Sequence, residues 1–527
     1  MEQNLPNVIA LADFKHDLDG LKRFTSDRWL WNERQQLEVR YINFDMAELL
    51  KVAALAIDAD SCAKVVKASE GQYNKVFQLT MNDGREVIAK LPNFNAGREH
   101  FSTASEVATM DFLRNVLHIP VPKIYAWSSR ASDNPVKADI KGKRKAQIVQ
   151  QVVEIERSLA STKFTKFGAL YYKQDLPGSD NSAPLYVDGS GNVVHNTEFV
   201  IGPTNHRSFF DFGKGGLNID CGPWSTITEY LTAVAHREIA CVKAGLTYPV
   251  IPEGLFYGPR QYQPTAAKKL SALNNYLKVA PYVLPEDKEG HASVLWHGDL
   301  HTQNIFVDPE DPGRIVGIID WQSVSACPIF MQVTRPGFLD YNGPAPEDLG
   351  RVSLPPNFDS MSPEEQREAK SLHESQTLHN LYLALSFRTN SAVFQAIQGH
   401  DTLHQQVSIL PGLTLTDCEP CLNSLLREVK NQWPTIVGEG PDGQPTVPCP
   451  LQFSATEVEQ QENDVELWAQ GVELMNNFIS ESGCFKHWDG RVDTADYDLS
   501  KKQLAEGIEK FLSREARNDE ERKAWLA

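Results

Sequence analysis

No apolar run in the 527-residue chain approaches the roughly 20 residues that a membrane-crossing helix requires, so no helical span is expected and the chain reads as soluble. Basic residues are in deficit as well. Against 69 Asp and Glu stand 51 Lys and Arg, a formal net charge of −18. A nucleic-acid partner, whose phosphates demand clustered Lys and Arg, is therefore not expected, whereas a neutral or cationic small molecule is tolerated. Cysteine is sparse, eight residues scattered over the chain, which suits a reducing compartment better than a disulfide-stapled secreted domain. The Cys-x-x-Cys pair, Cys418 and Cys421, has no second pair beside it and is flanked by Asp417, Glu419 and Pro420, so it reads as loop or surface thiols. The first twenty residues hold Glu2, Asp13, Asp17 and Asp19 but no arginine, unlike an Arg-rich presequence, and lack a secretory apolar core. On that count the compartment is cytoplasmic. No internal repeat or long low-complexity tract occurs, and the length allows two or more structural units.

What is present is a stretch that gathers chemistry, residues 295–321. Asn304 to Asp308 alternates apolar and polar, Pro309 to Arg314 is turn-rich, and Ile315 to Ile319 is a second apolar run ending at Asp320. Two antiparallel strands are expected. Their pairing folds Asp320 back beside Asn304, with Asp299 in the loop just before. Phosphoryl transfer needs such a set: one carboxylate accepts the proton of an attacking hydroxyl, while a carboxylate and an amide oxygen supply hard ligands to Mg²⁺. His297 and His301 flank Asp299 and raise the alternative of a metallohydrolase, but a zinc site of that kind needs three protein ligands and no further His-rich cluster stands near.

His297-Gly-Asp299-x-x-x-x-Asn304 followed by Ile319-Asp320-Trp321 resembles the aminoglycoside phosphotransferase family, which shares the protein-kinase-like fold. Arg23-Phe-Thr-Ser-Asp-Arg-Trp-Leu-Trp-Asn32 resembles the opening of a fungal branch of it, the altered-inheritance-of-mitochondria proteins. The resemblance implies Asp299 as catalytic base, Asn304 and Asp320 as Mg²⁺ ligands, ATP as phosphoryl donor, an unidentified small-molecule hydroxyl as acceptor, and a mitochondrial association that competes with the cytoplasmic reading. A protein kinase fits less well, because Gly298 precedes the first acid and Ile319 and Trp321 bracket the second.

The expected fold is α+β and two-lobed, with a small lobe of antiparallel sheet plus helix and a large, mostly helical lobe carrying the catalytic hairpin. Residues 1–62 read as an N-terminal extension, with a helix from Phe44 to Ala56, residues 63–136 as the small nucleotide lobe, and 137–527 as the large lobe. Lys64–Ala68, Lys75–Met81 and Glu86–Leu91 read as successive strands, the last two joined at the tight turn Asn82-Asp83-Gly84. In a kinase-like lobe the turn Ser69 to Asn74 covers nucleotide phosphates with backbone N–H groups, Gly71 permitting close approach and Asn74 closing it. Lys90 ends the third strand, and Glu106 lies on a helix from Thr103 to Leu117 whose face is Val107, Met110, Leu113 and Leu117. The resemblance makes Lys90 the phosphate ligand and Glu106 its partner. Val121 to Trp127 reads as a fourth strand.

The departure from the family comes next. A fifth, apolar strand whose backbone hydrogen-bonds the adenine is expected here, yet from Trp127 to Ile148 there is no run of four apolar residues. The basic cluster Lys141 to Lys145 reads as the solvated start of a helix. Either the hinge was lost with a skipped exon or a gene-model fault, or this member binds no adenine nucleotide and serves as a catalytically impaired binding or scaffold protein.

Overall fold

The computed structural model describes residues 8–10 and 18–526 apart from 69, 94, 98–99, 128–144, 179–182, 248–256, 303, 309, 312, 342, 344–348, 351 and 485–488. The hinge segment and the 136/137 boundary fall outside these described residues. The fold is α+β. The small lobe is a four-stranded antiparallel sheet in the order Val8–Ala10, Cys62–Lys67, Asn74–Met81 and Glu86–Pro92. Its register places Val76 opposite Lys90 and Lys67 opposite Phe77. Apolar residues of the sheet (Val65, Phe77, Leu79, Val87, Ala89) share one core with Leu21 and with Met46, Leu49, Leu50 and Ala53 of helix Met46–Leu55. That helix starts where Asp45 accepts from the Glu48 N–H, satisfying an end donor.

Helix Phe101–Asn115 follows, and here the expected face is too narrow. Besides Val107 and Leu113, the side chains of Ala104, Ala108 and Phe112 are buried, along with the polar Ser105, Glu106 and Thr109. The helix is wedged: one side meets the sheet's Lys90, the other enters the large-lobe core, where Phe112 meets Phe164, Tyr186 and Phe199 at 5.5–5.7 Å between ring centroids. A helix covered on two sides loses the one-stripe pattern by which sequence reading finds a face.

The fourth strand, Val121 to Trp127, is a second correction. These residues form no ladder. Pro120 and Pro122 lack the donors that pairing requires, the Val121 carbonyl is taken by Arg114 at 2.6 Å, and the Pro120 carbonyl accepts from Ile318 at 2.8 Å. The chain entering this segment is thus tied to the hairpin at Pro120, and Trp127 at its end stacks on Tyr172.

The large lobe opens with helix Lys145–Ser161. A five-stranded sheet of short strands (Cys327–Pro328, Ser293–Val294, Lys163–Phe164, Tyr186–Val187, Val193–Val194) and a pair joining Ala169–Tyr172 to Phe199–Gly202 come next. Of the helices that follow, three of the longest start at reciprocal caps: Thr226 with Glu229 before Ile227–Lys243, Ser362 with Glu365 before Pro363–Thr389, and Ser454 with Glu457 before Ala455–Ser482. Two helical stretches are interrupted. Pro363–Thr389 ends at Asn390 before Ser391–Gln398, and Tyr497–Glu515 is followed by Asp519–Leu526, where the Asn518 side chain accepts from the Glu520 and Glu521 N–H groups. Within Pro328 to Tyr341, Ile329, Phe330, Val333 and Leu339 are buried.

Helices Lys145–Ser161 and Pro363–Thr389 meet around an ionisable pair. Glu156, buried, accepts from the Tyr382 hydroxyl at 2.9 Å, and burial pushes its carboxyl up to about 8. A carboxyl whose folded pKa is raised contributes stability that is complete below its unfolded value and lost as pH climbs through the folded one. Glu156→Gln keeps the hydrogen bond without the charge. Its melting midpoint should match wild type at pH 5 and exceed it by about 1–3 °C at pH 8, read by circular dichroism; equal midpoints at both pH values would contradict this assignment.

Candidate active site

The catalytic hairpin is built as its sequence reads. Ile305–Val307 pairs antiparallel with Ile315–Ile318, Ile305 opposite Ile318 and Phe306 opposite Gly317. Its turn is anchored from outside by Gln151, which donates to the Gly313 carbonyl and accepts from the Ile315 N–H at 2.8 Å. A Cβ at Gly313 would meet the Gln147 Oε1, so any larger residue there would have to push that side chain aside.

At the open end of the hairpin, Ile319 N–H donates to the Asn304 carbonyl at 3.0 Å, so Asp320 follows directly beside Asn304. Two side chains grip the strand there. The His297 Nε2 donates to the Ile319 carbonyl at 2.8 Å, and the Trp321 Nε1 donates to the Ile318 carbonyl at 3.0 Å, their rings edge to face at 4.7 Å. Between these anchors Asp320 takes φ +66°, a left-handed backbone that only a few residue types adopt readily. His297 thus shapes the backbone that presents Asp320. Burial lowers its pKa.

Asn304 is buried and donates its amide to the Asp299 carbonyl at 2.8 Å, with the His301 ring 3.3 Å away. This fixes the loop that carries Asp299 and engages the Asn304 amide nitrogen, so a cation held here would meet its Oδ1. The Asp299 side chain is 76% exposed, so an incoming hydroxyl can reach it.

From the small lobe, Lys90 reaches across. Its Nζ lies 2.6 Å from Glu106 Oε1 and 3.0 Å from Asp320 Oδ1, one ammonium between two carboxylates. Burial works against that charge, but Glu106 and Asp320 outweigh it and raise the Lys90 pKa. Burial raises the Glu106 carboxyl in spite of Lys90, whereas at Asp320 the lysine overcomes burial and holds the carboxyl below its usual range. Asp320 is therefore held ionised and suited to a hard cation.

The turn over the site matches its expectation only partly. Asn74 is buried and spends its amide on Gln322 Oε1 at 2.7 Å, tying the turn to the residue just past Trp321. Gly71 lacks a left-handed φ, and a Cβ there would meet nothing within 4 Å. The fold itself does not require glycine at 71. Gln322, the Arg207 guanidinium stacked 3.5 Å from the Tyr73 ring, and the buried Glu70 all went unread in the sequence, because each acts through a partner far away in the chain.

Among the described residues no group of three His, Cys, Asp or Glu side chains is gathered for a metal, so a cation here would rest on Asn304 Oδ1, Asp320 and the oxygens of a bound phosphate. Cys418 and Cys421 stand at the start of helix Glu419–Asn431, and burial pushes both thiols up, opposite to what a reactive pair needs.

Residues 259–331, which contain the whole hairpin, match the family model described as Phosphotransferase enzyme family. The chain is similar to a subtelomeric hrmA-associated cluster protein of Aspergillus fumigatus, 30% identical over 474 residues that cover 79% of this chain and 87% of that one. It is also similar to the protein of Yarrowia lipolytica named altered inheritance of mitochondria protein 9, mitochondrial, at 23% identity over 501 residues, 86% of this chain and 82% of the relative. Among solved structures, a Thermobifida fusca protein assigned as a fructosamine-3-kinase aligns at 13% identity, covering 71% of this chain and 98% of that one, with a TM-score of 0.31. A likeness at that level carries no argument.

The Lys90 bridge makes a stability test possible. Lys90→Met leaves Glu106 buried without its counter-charge and strips Asp320 of the group that keeps it ionised. A partly exposed pair should cost about 1–3 kcal/mol, below the roughly 3–5 of a fully buried one. Because the Glu106 pKa then climbs further, the loss should be larger at pH 8 than at pH 5 in urea unfolding; a loss independent of pH would refute the bridge.

Proposed function

The chain belongs to the phosphotransferase enzyme family, and on that premise we propose that it moves a phosphoryl group from ATP to a hydroxyl of a small molecule. The observation that carries this reading is the Lys90 ammonium shared by Glu106 and Asp320, because it sets a phosphate-binding cation next to the carboxylate that would share a metal with Asn304. In this reading Lys90 takes the α- and β-phosphates, with Glu106 holding it in place. The turn from Gly71 to Asn74 covers the phosphates with its N–H groups. Mg²⁺, when held by Asn304 and Asp320, would neutralise charge on the phosphate oxygens. Asp299 accepts the proton from the acceptor hydroxyl, which its exposed position allows. His297 orients Asp320 through Ile319, and Asn304 orients Asp299 through its carbonyl.

The acceptor is of small-molecule class, by the family; no helix among the described residues is long and apolar enough to cross a membrane. Relatives named as mitochondrial support a mitochondrial association. A second reading, a binding or scaffold protein with impaired catalysis, is favoured by the missing apolar run between Trp127 and Ile148, where an adenine would be hydrogen-bonded. Each such bond lost is worth on the order of 1 kcal/mol.

Two measurements decide. Asp299→Asn should lower Mg²⁺-ATP turnover, followed as ADP release with a panel of hydroxyl acceptors, by about 10²–10⁴-fold while donor affinity stays within a few-fold. Full activity in that variant ends the assignment of Asp299. In a thermal-shift titration, Mg²⁺-ATP at a hundred times its Kd should stabilise the wild type by about 2.7 kcal/mol. No shift at millimolar nucleotide favours the scaffold.

A further inference from the structure

The turn that would cover the phosphates is held from outside its own sheet. Glu70, next to Gly71, is almost wholly buried, and its carboxylate accepts from Lys75 at 2.6 Å, Thr25 N–H at 2.8 Å and Thr25 Oγ1 at 3.1 Å, with Lys67 Nζ 2.9 Å away. A carboxylate has about four acceptor sites, and these donors fill them. Glu70 has nothing left for a nucleotide. Its own N–H donates to Ser26 Oγ at 2.9 Å. Two residues on, Gln72 receives Arg40 at its carbonyl, 3.1 Å, and at its side-chain oxygen, 2.8 Å. The buried Arg40 lies 4.6 Å over the ring of Trp29, itself fully buried.

Behind these residues stands the far end of the chain. Asp27–Trp29 pairs antiparallel with Arg491–Asp493, Arg28 opposite Val492, and Leu30 N–H donates to the Gly490 carbonyl at 2.9 Å. The Thr494 hydroxyl reaches the Ser26 carbonyl at 3.4 Å. One ribbon made from both ends of the chain thus backs the side chains that grip residues 70–72.

We propose that Thr25, Ser26 and Arg40, braced by the strand Arg491–Asp493, are positioning residues that clamp the turn 70–74 in the conformation that receives donor phosphates. The inference rests on the phosphotransfer reading for its purpose, although the clamp itself can be measured without nucleotide. Its physical content is preorganisation: a turn with a single glycine would otherwise sample many conformers, and the donor would bear the entropy of ordering it.

The test uses the full chain with Thr25→Val and Ser26→Ala combined, which removes two hydroxyls and leaves the Glu70–Lys67–Lys75 ion group intact. Hydrogen exchange of the amides of 70–74, without nucleotide, should speed up about tenfold, while the hairpin 305–318 stays at its wild-type rate. The KM for Mg²⁺-ATP should rise about three- to tenfold with kcat within about twofold, since a positioning loss acts on binding of the donor. Unchanged exchange at the turn overturns the clamp; so does faster exchange with an unchanged KM. Equal acceleration at the hairpin also overturns it, as that signals general loosening. A wild type with no Mg²⁺-ATP binding defeats the phosphotransfer reading instead, and is told apart because the exchange comparison needs no donor.

Discussion

A single ammonium joins the two lobes. Lys90 comes from the edge of the small sheet, Glu106 from the helix wedged between lobes, and Asp320 from the end of the catalytic hairpin, so three separately folded elements meet within 3.0 Å of one nitrogen. Desolvation makes that meeting conditional. Each charge is partly removed from water, which is tolerable only while the others stay in place. The bridge is therefore less a source of stability than a statement of geometry, because a misplaced helix or strand would leave a buried charge unpaired. The aromatic cluster around Phe112 sets the helix, and the pairing of Val76 with Lys90 sets the strand. Packing and register do the positioning, and electrostatics reports whether they succeeded.

The third partner is set differently. Asp320 sits in a left-handed backbone, and the unfavourable conformation is held by hydrogen bonds to the two carbonyls that precede it, from His297 and Trp321. Those two residues flank the acids in the sequence and read there as part of a motif. Their work is one step removed from chemistry. His297 holds the Ile319 carbonyl through Nε2, and burial lowers its pKa.

How much of this was legible depends on the range over which each pattern acts. The hairpin reads clearly because strand alternation, a turn rich in Pro and Gly, and an acid closing an apolar run all lie within some 25 residues. The strands of the small lobe and their Asn82-Asp83-Gly84 turn read for the same reason. Helix Phe101–Asn115 was found but its buried face was read too narrowly, since burial on two sides erases a single stripe. Val121 to Trp127 reads as a strand by residue type, and fails because flanking prolines withhold donors while Arg114 and Ile318 claim the carbonyls. Least legible is the ribbon of Asp27–Trp29 with Arg491–Asp493: three-residue strands from opposite ends carry no periodicity, and only the buried Trp29 and Arg40 mark the place.

These contrasts divide the site into two unequal halves. The phosphate end is over-determined: Lys90 is paired twice, Asn304 and Asn74 each spend their amides on neighbours, and the covering turn is gripped at Glu70 and Gln72. In the sequence, by contrast, the stretch after Trp127, where an adenine-binding strand is expected, holds no run of four apolar residues. On the phosphotransfer reading, the binding energy of a nucleotide would be concentrated in charge-assisted contacts to its phosphates, each roughly twice as strong as a neutral hydrogen bond, with little from burial of the base. Such a distribution aligns the reacting phosphoryl group well and discriminates poorly among bases. On the proposed phosphotransfer reading, the donor would be recognised by its triphosphate rather than by its ring.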